Sequence, residues 1–179
     1  MKDLLKNNPG AKNALLFAMR IGIGYGIWRI CYYFLETNLP PFWVHFQNFA
    51  ALQIIKGGAF LLRQIGEPAF YNSRNLFITR DVGIYLADHC IGIPAFVVFS
   101  IFILSYQGRW LTKAWYIPFG ALSIYVMNAT RSAALAYLLR YYSKAYFELS
   151  HSYIYTITIY SLIFLLIVWW MEKWSKTTS

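Results

Sequence analysis

Residues 116–139 read YIPFGALSIYVMNATRSAALAYLL, an apolar run broken by a single charged side chain, Arg131. A helix of around 20 apolar residues crosses a bilayer, and this run is long enough. Similar runs lie at 14–35, 91–106 and 152–171. Together they predict an all-α membrane protein, a polytopic bundle of about four transmembrane helices forming one domain over residues 1–179. Composition points the same way: 59% of residues are hydrophobic, 20% aromatic and only 13% charged, with mean hydropathy +0.44. Soluble domains carry about 25% charged residues. A chain of 179 residues built this way leaves no room for a separate catalytic domain.

Charge placement gives direction. Lys2, Lys6 and Lys12 precede the first run, Arg109 and Lys113 separate the second from the third, and Lys173 and Lys176 follow the fourth. On the other side the one short loop holds Arg140 and Lys144. The side richer in basic residues is cytoplasmic, so residues 36–90 and the 140–150 loop are expected outside a cell (inner) membrane. Glu36, Glu67, Asp81, Asp88 and Glu148 fall there too. The net charge of +9 is thus read as topology. Nucleic acid is not an expected partner, because no basic stripe with interleaved stacking residues lies outside the apolar runs. The first run is too long for a signal-peptide core and ends without an A-x-A site, which predicts an uncleaved anchor.

Within 36–90, Pro40-Pro41 stops the first helix. Residues 42–65 read as an amphipathic helix on the outer surface. Phe46, Phe49, Ala50, Ile54 and Leu61 are set against Gln47, Asn48, Gln53, Lys56 and Arg63, with Gly57-Gly58 as a weak point. The alternative is a fifth span, which would reverse the later ones. A β-hairpin is expected next, 75–79 with 82–90, turning near Arg80-Asp81. Val82, Ile84, Leu86, Asp88 and Cys90 would share a face of its second strand.

Candidate chemistry gathers at one depth. The run 91–106 would rise only about 24 Å against a hydrocarbon core near 30 Å. Its start, marked by Pro94, is therefore expected just inside the membrane boundary, with Cys90 immediately before it. Arg131 lies about 10 Å below the outer end of its span. An arginine there costs at least about 2.5–3.5 kcal/mol, so it needs either a route to the headgroups by snorkelling or a partner. Asn128, one turn earlier on the same face, favours a shared polar site. His151 opens the fourth run at the same boundary. A thiol, an imidazole and a fixed cation are the parts of acyl transfer through a thioester. In this reading Cys90 attacks a peptide carbonyl as thiolate, and His151 moves protons to and from thiol and leaving amine. Arg131 holds the thiolate or the oxyanion; it stays protonated and cannot be the base. Asn128, Asp88 and Arg29, the last in the outer half of the first span, are expected to support the site or bind substrate.

Other readings are distinct. Cys31 lies near the outer end of the first span, and a Cys31–Cys90 disulfide in an oxidising compartment would make the chain a non-catalytic scaffold or transporter subunit. A thiol acyltransferase modifying lipid would use the same parts on another donor. Asp88, His89, Cys90 and His151 are metal-ligating types. Adjacent His89 and Cys90 would point to opposite faces of a strand, however, and C-x₂-C spacing is absent, so neither metal nor cofactor is expected. Gly22, Gly24 and Gly26 lie inside a span with no strand before them. Gly22 and Gly26 fit close helix packing better than a nucleotide loop. Asn128-Ala129-Thr130 matches a glycosylation pattern but is buried in a span.

Cys90-Ile91-Gly92-Ile93 opening one span, Asn128-Ala129-Thr130-Arg131 within the next and His151 at the start of another resemble the motifs of the exosortase/archaeosortase family, in its short exosortase F-like form. Ile91 stands where that family often has serine, and the additional N-terminal spans of longer members are not expected. The resemblance covers roughly residues 66–170. It implies a membrane-embedded cysteine protease or transpeptidase, analogous to sortase on an unrelated fold. Its implied partners are secreted proteins bearing a C-terminal motif, a transmembrane helix and a basic tail. The substrate helix would pack laterally from the bilayer, along the Gly22/Gly26 groove, and the acyl product would pass to an acceptor.

In a cysteine-free chain, single cysteines replacing Lys113 or Lys173 should resist a membrane-impermeant thiol reagent in intact spheroplasts. One replacing Asp81 should be labelled. Labelling at 113 and 173 but not at 81 would reverse this topology, and labelling of all three would abolish it.

Overall fold

The computed structural model describes residues 9–142 and 144–174; Lys2, Lys6 and Lys176 of the charge pattern lie outside the described residues. Helix α1 (Pro9–Asn38) stops where Leu39 takes a positive φ of 43° and Pro40 is extended, before Pro41 starts the next helix. Proline at that first position sacrifices no helical hydrogen bond. Helix α2 (Pro41–Gln64) is anchored to the end of α1 by Glu36, whose Oε1 accepts from Trp43 Nε1 at 2.9 Å and Gln47 Nε2 at 2.8 Å.

The amphipathic reading of 42–65 is corrected in its faces. Gln47 is buried while Phe46 and Phe49 are exposed. The buried face of α2 instead runs through Ala51, Ile54, Ile55, Gly58, Ala59 and Leu62 against helix α4 (Trp110–Tyr141). Gly57-Gly58 is the contact and not a weak point. A Cβ at Gly57 would stand 2.7 Å from Tyr125 Oη, and one at Gly58 would overlap Ser132 Oγ. Glycine here lets the two backbones approach; sequence periodicity weighs hydrophobicity and misses that. Two points on α2 are tied to the segment that carries the small sheet, through Asn48 Oδ1, which accepts from Arg74 Nε at 2.7 Å, and Arg63 Nε, which donates to Ala69 O at 2.9 Å.

That sheet has three antiparallel strands in sequence order, β1 (Phe70–Asn72), β2 (Asn75–Phe77) and β3 (Gly83–Tyr85), with Leu76 opposite Ile84. The expected hairpin is present between β2 and β3. Its second strand, however, ends at Tyr85, and Asp88–Cys90 form a 3₁₀ turn. Cys90 therefore does not continue the alternation of Val82, Ile84 and Leu86. Helix α3 (Ile93–Ser105) follows, about 20 Å long, then α4, the short α5 (Lys144–Leu149), a π-helical turn at Ser150–Ile154, and α6 (Tyr155–Trp174).

Helix α4 is the central element and contributes to two cores. At the sheet-bearing end Ala133, Leu135 and Ala136 pack with α2, Leu76, Ile78, Cys90 and Ile91. At the opposite end Tyr116 and Ile124 pack with Phe99, Ile103, Ile163, Leu166 and Trp170, and Tyr116 Oη donates to Leu166 O at 2.6 Å. Helix α1 is peripheral. It touches α3 at Gly24, where an added Cβ would lie 3.1 Å from Ile101, and through Phe17 on Phe102 and Tyr106. Gly22 and Gly26, expected as the packing face, meet nothing within 4 Å.

Among the described residues, two segments are long and apolar enough to cross a membrane, Lys12–Asn38 and Tyr155–Trp174, with Ile93–Ser105 a shorter apolar helix. Helix α4, whose sequence first pointed to a bilayer, is not among them. Its polar cluster around Asn128 and Arg131 and its small residues dilute its hydropathy. The outward faces of α1 and α6 carry Ile23, Ile27, Ile30, Ile157, Phe164 and Leu165, all well exposed. An apolar exterior of this kind requires lipid as solvent, and the chain is a membrane protein.

Gly120 packs so tightly on α3 that any Cβ would overlap the Phe99 ring. Gly120→Leu should therefore cost about 1–3 kcal/mol by overpacking, read as a lower thermal midpoint in detergent.

Candidate active site

Cys90 ends the 3₁₀ turn and is buried at 5% exposure. Its position is set by the two residues after it. Gly92 adopts φ +86° and ψ 13°, a left-handed conformation that glycine takes without penalty, and Pro94 lies in the first turn of α3. The Gly92 backbone lies so close to α4 that a Cβ would sit 2.5 Å from Asn128 Nδ2. Asn128, 2% exposed, donates from Nδ2 to Ile91 O at 3.3 Å. Asn128 thus clasps the turn that presents the thiol. On the other side of the turn Asp88 pairs with Arg74, which also bonds Asn48, so the same turn is pinned to the sheet and α2.

One turn beyond Asn128, Arg131 directs Nη2 to Cys90 Sγ at 3.6 Å, and its guanidinium carbon lies 5.9 Å from the Tyr155 ring centroid. His151 comes from the π turn. Its Nε2 is 3.8 Å from Cys90 Sγ, and its ring stacks on Phe147 at 5.9 Å and 15°. Single π turns occur often at functional positions; here the turn carries an imidazole to a sulfur. Thiol, guanidinium and imidazole thus meet, as the sequence placed them. Both cysteines are free, with Cys31 exposed, so no Cys31–Cys90 bridge is present.

The supporting residues divide. Asn128 is in the site. Asp88 is engaged by Arg74 and acts on the turn from outside. Arg29 is exposed on α1 and lines neither cavity onto which Cys90 opens. One correction concerns His89. Because residues 88–90 form a turn and not a strand, His89 and Cys90 do not point apart: ligand atoms of His89, Cys90 and His151 all lie within 4.8 Å of one another. Sequence reasoning quoted Gly92 only within the Cys90–Ile93 motif, without its structural role, and passed over Phe147. The Gly-Ile-Pro order ahead of an apolar helix signals a left-handed residue before a helix start; nothing local marks Phe147.

Cys90, Arg131 and His151 form a common wall of two cavities. One, about 280 Å³, runs beneath β3 and is lined by Ile84, Leu86, Leu135 and Phe147. The other, about 360 Å³, descends between α3 and α6 past Pro94, Ala95, Ile159 and Tyr160. Burial lowers the His151 pKa below the usual 6.5, and the charges of Arg131 and His89 lower it further. The imidazole is therefore neutral and able to accept a proton at neutral pH.

A helical membrane protein whose buried thiol is flanked by imidazole and guanidinium has the makings of a nucleophilic site. The chain belongs to the transmembrane exosortase family: the family model of that description (Exosortase_EpsH) matches residues 14–169 of 179. No curated protein and no solved structure matches the chain.

The His151 shift carries a sign. Between its lowered folded pKa and 6.5, the unfolded chain binds a proton that the folded chain does not, so acidification through that window destabilises the fold. NMR titration of labelled imidazoles in detergent should give His151 a midpoint below 6.5, moving upward in Arg131→Gln. A midpoint unchanged by that substitution would remove the guanidinium from its surroundings.

Proposed function

We propose that the chain is a membrane-embedded thiol peptidase or transpeptidase acting on C-terminal sorting signals of secreted proteins at the extracytoplasmic face. The observation that carries this reading is the double contact of Cys90 Sγ, 3.6 Å from Arg131 Nη2 and 3.8 Å from His151 Nε2, in the shared wall of two cavities. This reading takes α1, α3, α4 and α6 as four crossings, with the sheet, the 3₁₀ turn and the start of α6 gathered at one end of the bundle. The basic residues then place that end outside.

The two cavities suit the two sides of a scissile bond. In the β2–β3 ladder, Ile78 N–H donates to Val82 O at 3.0 Å and Leu86 N–H to Arg74 O at 2.8 Å. Antiparallel alternation then turns the backbone groups of Gly83 and Tyr85 away from β2, along the first cavity. An extended recognition segment has backbone partners there. The second cavity continues downward between helices and fits the start of the substrate's own transmembrane helix. Asn128 Oδ1, buried without a hydrogen-bond partner among the described residues, lines that cavity and offers an acceptor to a substrate N–H.

The chemistry balances on these groups. His151 Nε2 takes the Cys90 thiol proton, and the thiolate, steadied by Arg131, attacks the carbonyl carbon. Arg131 also faces the oxyanion that develops. His151 returns its proton to the leaving nitrogen as the C–N bond breaks, leaving a thioester on Cys90. An acceptor nucleophile then attacks, gives its proton to His151, and releases the acyl group; Cys90 recovers its proton. Peptide transfer or hydrolysis follows according to whether the acceptor or water arrives.

With a tagged precursor ending in motif, apolar helix and basic tail, Cys90→Ala should abolish processing while membrane insertion persists. Arg131→Gln should lose about 10²–10³-fold in rate, and His151→Ala about 10²–10⁴-fold. Processing retained in Cys90→Ala would remove the nucleophile and this reading with it.

A further inference from the structure

We infer that His89, Cys90 and His151 form a zinc site that competes with the reaction. The three ligand atoms lie within 4.8 Å of one another. The Cys90 Sγ–His151 Nε2 separation is 3.8 Å. A tetrahedral zinc with bonds of about 2.3 Å to sulfur and 2.0–2.1 Å to nitrogen sets those atoms about 3.5 Å apart. The first pair is thus nearly at coordination distance. The third ligand closes by rotation of His89, which is exposed on the 3₁₀ turn. Thiolate with two imidazoles selects zinc over magnesium or calcium, which prefer oxygen. A fourth position stays open to water from the cavities on either side.

Zinc on these atoms releases the Cys90 thiol proton and forms a sulfur–zinc bond. It occupies the sulfur lone pair and the imidazole nitrogen together. Acyl transfer needs both, so metal and substrate exclude one another. This inhibitory consequence rests on the proposed thiol chemistry; the metal site itself does not. Arg131 opposes the metal by its charge but can keep its N–H directed at the thiolate, so the site is expected to bind zinc reversibly. His89 transfers no proton and touches no reacting atom in the proposed reaction, its influence there being only the charge it adds beside His151, which makes it the residue that separates the two roles.

The test uses the full chain in detergent on a Cys31→Ser background, where Cys90 is the remaining cysteine. Alkylation of Cys90 by iodoacetamide is followed by intact mass in metal-buffered zinc. Zinc should protect Cys90 saturably, at one ion per chain, and cobalt should give a thiolate-to-metal charge-transfer band. His89→Ala and His89→Gln should keep the zinc-free alkylation rate yet raise the zinc midpoint by more than about tenfold, the upper loss expected even for an outer-shell partner being larger still. Absence of protection in the parent, or an unchanged midpoint in both variants, would overturn the three-ligand site. If Cys90 failed to react even without metal, the thiol-enzyme reading would fall while the cobalt spectrum still decided the site.

Discussion

The close approach of the Cys90-Ile91-Gly92 backbone to Asn128 governs the sheet-bearing end of the molecule. A left-handed glycine allows the chain to lie against the middle of α4, where any side chain would collide with the Asn128 amide. The amide then bonds Ile91 O. Cys90 and Arg131 are brought together by this clasp, because Arg131 is one turn further along the helix that Asn128 belongs to. The cost of burying an asparagine and an arginine in an apolar bundle is offset by giving each a partner. The motif Asn128-x-x-Arg131 is thus one structural device, in which the first residue holds the turn and the second meets its sulfur.

Around that clasp the molecule is stiff on one side and open on the other. Helix α2 is drawn onto α4 by two glycines, and the Glu36, Arg74 and Glu67 contacts fasten the loops around it. Glu67 bonds both Arg140 and Tyr141 at the end of α4. Of these ties Arg74 reaches the 3₁₀ turn directly, through Asp88, so Cys90 sits on a supported segment and not on a free loop. His151 arrives differently, on a π turn braced chiefly by stacking with Phe147. The imidazole is also the group whose protonation responds to its surroundings, burial and the charges of Arg131 and His89 lowering its pKa.

The peripheral position of α1 has a consequence for access. With Gly22 and Gly26 facing no neighbour and an apolar outer surface beside them, α1 is fastened to the rest mainly through α3 and the Glu36 cluster. The cavity between α3 and α6, lined by Ala95, Ile159 and Tyr160, reaches Cys90 without involving α1. Under the proposed function, that cavity gives a membrane-borne substrate a path to Cys90 that leaves the packing of α1 undisturbed.

Reading residues alone was enough to establish a membrane helical bundle, the shortness of the helix after Cys90, and the meeting of Cys90, Arg131 and His151. Apolar run length and motif order are local properties that survive without coordinates. The strand ending at Tyr85, the burial of Gln47 with exposure of Phe46 and Phe49 on α2, and the engagement of Asp88 by Arg74 were decided by tertiary structure. So was the nearness of His89 to the thiol. In each case the deciding factor was a contact between distant segments: Gly57-Gly58 against α4, Asp88 taken by Arg74, the 3₁₀ turn imposed by the Asn128 clasp. Hydrophobic periodicity registers how greasy a position is; it does not register how closely two backbones can approach, and that distance set this site.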